Sequence, residues 1–118
     1  MSRCTTMEMT MIRPLILAAA IAIPAIGHAN GADEACFSLG ELATTIMTGR
    51  QNGVPMAEMI RAAATADDEG AAEVARAMVM DAYNMPRWIS EENKIRAAQD
   101  FGNDVTAYCL MIADGEAA

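Results

Sequence analysis

The stretch IMTGRQNGVPMAEMI (residues 46–60) contains the corner that decides how this chain folds. Arg50 lies where the last turn of a helix would fall, and the helix dipole favours a cation there. Asn52 and Gly53 follow, and glycine readily takes the left-handed backbone conformation that ends many helices. Pro55 suits the first turn of a new helix. The stretch therefore predicts a helix end, a tight turn and a proline-led second helix.

Apolar residues at spacings of three and four continue on both sides of this corner, which is typical of amphipathic helices. Ser38 is a candidate cap for the first helix, and Pro55 opens a short second helix. A third apolar stripe ends before Pro86, and Ser90 is a candidate cap for a fourth helix. The alternation expected of strands is missing. The sequence therefore predicts an all-α domain of four helices, the second of them short.

The N-terminal region has the pattern of a signal peptide. A charge-free apolar run covers residues 15–26, too short to span a bilayer that needs about 20 residues, and Arg13 precedes it. Small residues follow at positions 27 and 29, so we expect cleavage after Ala29; an uncleaved membrane anchor is the alternative. We further expect translation to start at Met11, because that start gives a more ordinary signal peptide.

The predicted exported domain, residues 30–118, is strongly acidic. It has 89 residues with six Lys and Arg against 15 Asp and Glu, a net charge of −9. Because phosphate binding needs a basic surface, this charge excludes nucleic acid as a partner. It also disfavours anionic membranes, so we expect no membrane contact after cleavage. The predicted location is the periplasm or the medium.

Two cysteines remain in the predicted domain, Cys36 and Cys109. An even cysteine count in an exported chain indicates a disulfide, whereas free thiols or a bond between chains are the alternatives. A bond between them would close a loop of 74 residues. In the chain-entropy treatment such a bond stabilises the fold by about 4 kcal/mol. The bond would join the start of the first helix to the end of the last, so we expect an antiparallel, disulfide-closed bundle.

The predicted domain lacks the side chains of common catalytic centres. The single histidine, His28, leaves with the signal peptide, and the serines are Ser38 and Ser90. Without histidine no serine or cysteine nucleophile can be activated by an imidazole, and no histidine-based zinc site can form. We therefore expect no enzyme activity, no catalytic residue, no cofactor and no metal site.

The methionines leave one metal alternative open. Met56 and Met59 form one close pair, and Met78 and Met80 form another. Thioethers bind Cu(I) in exported proteins. However, three of these residues lie on predicted apolar stripes, where methionine is an ordinary core residue. Copper binding is therefore the less favoured alternative.

A candidate interaction surface consists of Arg50, Gln51, Arg87 and Trp88, provided that the two corners of the chain meet. Trp and Arg are enriched among the residues that dominate protein–protein binding. The simpler interpretation is that Arg50 complements the helix dipole, that the Gln51 amide is solvated, and that Trp88 anchors the core.

The motif I-M-x-x-R-Q-x-G at residues 46–53, followed by A-Y-x-x-P-R at residues 82–87 and by Cys109, resembles a loose family of small exported proteins. The family occurs in Gram-negative bacteria and their phages and has no assigned activity. The resemblance implies export and a compact helical domain. It also favours pairing of Cys36 with Cys109, because such proteins tend to carry their first cysteine at this position.

Together these observations predict a small, acidic, non-enzymatic protein that interacts with another envelope or secreted protein. The alternative is a periplasmic acid or stress chaperone, because acid would neutralise the carboxylates and remove their mutual repulsion. The sequence leaves the identity of the partner and the oligomeric state open.

Overall fold

The computed structural model describes residues 27–117, which form four α-helices and no strand. The helices are α1 (Gly27–Gln51), α2 (Met56–Ala63), α3 (Glu69–Asn84) and α4 (Glu91–Ala117). The second is much the shortest, with 8 residues against 25, 16 and 27 in the others. The predicted all-α fold with four helices is therefore confirmed.

Most of the predicted signal peptide, residues 1–26, lies outside the described residues, and its cleavage stays a prediction. Ala32–Ala118 form a compact unit by themselves. Residues 27–31 lie outside that unit.

The corner between α1 and α2 has the predicted architecture. Gly53 has a φ of +85°, the left-handed conformation that closes a helix. The Val54 amide donates to the Gly49 carbonyl (2.9 Å) and the Gly53 amide donates to Arg50 (3.1 Å), the hydrogen-bond pair of a Schellman motif. Pro55 then precedes α2 with extended backbone.

Of the three other helix starts, that of α4 at Ser90 was predicted correctly, and that of α3 is formed by Asp68. Asp68 caps α3 by accepting from the Ala71 amide (2.7 Å), and Ser90 caps α4 by accepting from the Asn93 amide (3.2 Å). The expected start of α1 at Ser38 is wrong, because the helix begins at Gly27. Residues 28–37 contain no proline and several alanines, so nothing in the backbone interrupts the helix before Ser38.

The core lies between α1, α3 and α4, with α2 contributing one small residue. The buried apolar side chains are those of Cys36, Ala43, Ile46, Met47, Ala63, Ala75, Met78, Val79, Ala82, Ala98 and Phe101. Cys36 and Cys109 form the predicted disulfide, with Cα atoms 5.4 Å apart. The bond thus links the tenth residue of α1 to the nineteenth residue of α4, well inside both helices.

The backbones of α1 and α4 approach each other closely at two glycines, Gly40 and Gly102. A Cβ atom at Gly40 would collide with the Thr106 hydroxyl, and one at Gly102 would collide with the Thr44 hydroxyl. Each threonine donates to the glycine carbonyl one turn earlier on its own helix, at 2.9 Å. The two Gly-x-x-x-Thr segments are therefore complementary, and each supplies the space that the other occupies.

Gly40→Ala is expected to lower the free energy of unfolding by about 1–3 kcal/mol, because the added methyl group overpacks the crossing. Urea denaturation measures this change. Gly115→Ala is the control, since Gly115 on α4 has open space around it. Alanine is the better helix former, so the control should be neutral or stabilising.

The double variant Gly40→Ala/Thr106→Ala extends this test. It should lose less stability than the sum of the two single variants, because the Thr106 hydroxyl is the first atom that the new methyl group meets. Additive losses would contradict direct contact at the crossing.

Replacing both Cys36 and Cys109 by alanine should cost about 2–5 kcal/mol of unfolding free energy, because the bond closes most of the domain into one loop. A reducing agent should destabilise the wild-type protein by a similar amount and leave the alanine variant unchanged. An equal effect of the reducing agent on both proteins would contradict an intrachain disulfide.

Candidate functional site

The two predicted corners meet at one end of the bundle. Arg50 and Gln51, in the last turn of α1, contact the backbone of the α3–α4 loop (residues 85–90). We call these two side chains the clamp. The clamp residues and their partners in the loop are 35 or more positions apart in the sequence. The contact therefore depends on the packing of α1 against the end of α3.

Gln51 holds the loop on both sides of Arg87. Its Nε2 donates to the Pro86 carbonyl (2.9 Å), and its Oε1 accepts from the Trp88 amide (2.8 Å). The side-chain amide thus pairs with the loop as a peptide group pairs with a neighbouring strand. Within residues 27–117, every buried side-chain nitrogen or oxygen has a hydrogen-bond partner.

The prediction that Gln51 belongs to an exposed surface is wrong, because the residue is only 1% exposed. It lies four residues after Met47 and so continues the buried side of α1. Its amide is not solvated but is satisfied by loop backbone. Gln51 therefore supports the loop from within.

Arg50 links the loop to α3. Its Nε and Nη2 donate to the Met85 carbonyl (3.3 and 3.0 Å), and its guanidinium lies 5.1 Å from the centre of the Tyr83 ring. The Tyr83 hydroxyl in turn donates to the Val54 carbonyl. Burial raises the pKa of Tyr83, Arg50 opposes the rise, and Glu58 adds to it. A raised pKa keeps the hydroxyl protonated, as its donor role requires.

The outer side of the loop consists of Arg87, Trp88 and Ile89. The Arg87 guanidinium lies against Gly53, where a Cβ atom would be 3.0 Å from Nη2. Trp88 is 47% exposed and Ile89 98% exposed. Of the four predicted surface residues, Arg87 and Trp88 are therefore exposed, Arg50 is half-buried, and Gln51 is buried.

Sequence reasoning missed two members of this end of the bundle, Tyr83 and Ile89. Tyr83 was noted only as part of the motif A-Y-x-x-P-R, and nothing in its spacing indicated a bond to Val54. Ile89 follows the only tryptophan, and an isoleucine in that place is commonly buried. Because the α3–α4 loop is short and held by the clamp, Ile89 lies on the surface.

The methionine pairs do not form one cluster on the surface. Met78 is buried in the core, Met80 is exposed, and Met59 fills the space that Gly49 leaves beside α1. Within the described part of the chain, no three His, Cys, Asp or Glu side chains come together in a way that could hold a metal ion.

No protein-family model, no curated protein and no solved structure matches this chain. The resemblance to small exported proteins therefore stays a prediction. Over residues 27–117, none of the helices has the length and apolar character needed to cross a bilayer.

Gln51→Met is expected to lower the free energy of unfolding by about 1–3 kcal/mol, because it keeps the volume but leaves the Pro86 carbonyl and the Trp88 amide unpaired. Trp88 is the only tryptophan, so its emission reports on the loop directly. We expect a shifted emission maximum in the folded variant.

Gln99→Met is the matched control, since Gln99 is an exposed amide on α4. It should change neither stability nor emission. Equal behaviour of the two variants would contradict the role of the clamp.

Proposed function

We propose that this chain is a small exported protein without enzyme activity that binds another envelope or secreted protein through the outer side of the α3–α4 loop. The observation that carries the proposal is the exposure of Trp88 and Ile89 on a loop whose backbone is held by Gln51. Large apolar side chains in water cost free energy unless a partner covers them.

The composition of the loop supports binding rather than simple connection. Trp and Arg are enriched among the interface residues whose replacement by alanine weakens binding most. Arg87 and Trp88 stand side by side with Ile89, and the three supply charge, an aromatic ring and an aliphatic surface. A partner with an apolar recess and an adjacent carboxylate would complement all three.

The clamp supports the proposal energetically. A flexible loop would lose conformational entropy on binding, at about 0.5–1.5 kcal/mol for each side chain that becomes fixed. Here the hydrogen bonds of Arg50 and Gln51 order the backbone in the free protein. Preorganisation of this kind favours affinity.

Export is supported by the apolar run at residues 15–26 and by the disulfide, which is typical of oxidising compartments. The absence of histidine from residues 30–118 supports a role without catalysis.

A photo-crosslinking amino acid at position 89 tests the surface. The chain is expressed in a Gram-negative host together with the proteins encoded next to it in its genome. We expect one discrete crosslinked product that joins position 89 to a partner protein. Position 95 is the matched control, because Ile95 is also an exposed isoleucine but lies on α4 outside the loop. The product recovered from the periplasm or medium should begin at Asn30.

Trp88→Ala should weaken binding of the crosslinked partner by about 30-fold or more, the effect of losing a residue that dominates an interface. The side chain is half-exposed, so the fold should persist, which circular dichroism checks. Equal adducts from positions 89 and 95, or unchanged affinity in Trp88→Ala, would reject this surface.

A further inference from the structure

A second candidate surface lies between α3 and α4, toward the disulfide. It is a groove of about 680 Å³, within the usual size of binding sites, and we call it the α3–α4 groove. Its floor includes the buried side chains of Met78 and Phe101. Its walls include Val74, Tyr108 and Ile112, which are exposed. The side chain of Tyr108 is 66% exposed, so this wall is largely open to solvent.

The groove has the length of a helix-binding site. Its α4 wall extends from Phe101 to Ile112, about 16 Å at the rise of an α-helix. About three turns of a partner helix fit along that distance and could place apolar residues at positions i, i+4 and i+7. The apolar lining would cover that side of the partner.

The charged side chains of the groove are all of one sign. Asp81 on α3 and Asp104 on α4 both line it, and no Lys or Arg does. The ion pairs found among residues 27–117, Lys94 with Glu91 and Arg96 with Glu92, involve neither aspartate. Two exposed carboxylates thus stand beside an apolar channel in a domain that is acidic as a whole.

We propose that the α3–α4 groove binds a cationic amphipathic helix of a partner protein. The apolar side of such a helix would cover Val74, Tyr108 and Ile112, and its Lys or Arg residues would pair with Asp81 and Asp104. The charge of the whole domain would attract a basic segment and repel an acidic one. The assignment is independent of the proposal for the α3–α4 loop, because Arg87, Trp88 and Ile89 do not line the groove.

Binding of two labelled peptides to the purified, disulfide-bonded chain tests the proposal by fluorescence anisotropy. One is a designed amphipathic helix of leucine and lysine, about 18 residues long so that it exceeds the groove. The other has the same leucines with glutamate in place of lysine. We expect binding of the lysine peptide and none of the glutamate peptide at the same concentration.

Paired variants locate the site. Asp104→Asn should weaken binding of the lysine peptide by about two- to fivefold, the effect of losing an exposed ion pair. Asp100→Asn, one turn earlier on α4 and outside the groove, should have no effect. Ile112→Ser should weaken binding by about tenfold through lost apolar contact, whereas its exposed neighbour Met111→Ser should not.

Several results would overturn the proposal: equal binding of both peptides, absence of binding, or equal effects within each variant pair. Purely electrostatic binding is one such case, because it would respond to salt but not to Ile112→Ser. A dimer of this chain that Ile112→Ser dissociates would assign the groove to a second copy and also overturn it. Trp88→Ala should leave peptide binding unchanged, so failure here is distinguishable from failure at the loop.

Discussion

The antiparallel contact between α1 and α4 is the constraint on which the rest of this domain depends. The Cys36–Cys109 bond joins the two helices, and one helical turn further along α1 the crossing at Gly40 and Gly102 brings their backbones together. At the far end, Gln51 in the last turn of α1 binds the loop that leads into α4. Covalent, steric and hydrogen-bonded contacts thus set the register of the same helix pair, and α3 packs against the surface that results.

The same constraint makes the two ends of the bundle chemically different. At the end with the clamp, the polar groups of Arg50 and Gln51 form hydrogen bonds with the backbone of the α3–α4 loop. The loop is held in a position that leaves Trp88 and Ile89 exposed. Toward the disulfide, α3 and α4 leave an open apolar groove between them. The close approach of α1 to α4 needs glycine at its centre, whereas α3 and α4 leave space for larger side chains. Two distinct surfaces follow from one packing arrangement.

Residues 46–60 show which structural features local sequence patterns predicted and which they did not. Gly53 and Pro55 predicted the turn correctly, because both act through their own backbone conformation. Arg50 was expected to complement the helix dipole, and it also binds Met85 and faces Tyr83. Gln51 was expected on the surface and is buried. The repeat of Gly-x-x-x-Thr at residues 40–44 and 102–106 was visible in the sequence, but its meaning requires that the two segments face each other.

The sequence by itself determined the helical class, the starts of α2 and α4, and the acidic charge and two cysteines of residues 30–118. Each of these depends on residues within about one helical turn of each other, or on composition alone. Tertiary structure alone decided that Gln51 is buried, that Ile89 is exposed, and that Asp81 and Asp104 share a groove. These features depend on the relative rotation and register of helices that are distant in the chain. Periodicity within one helix does not specify either quantity.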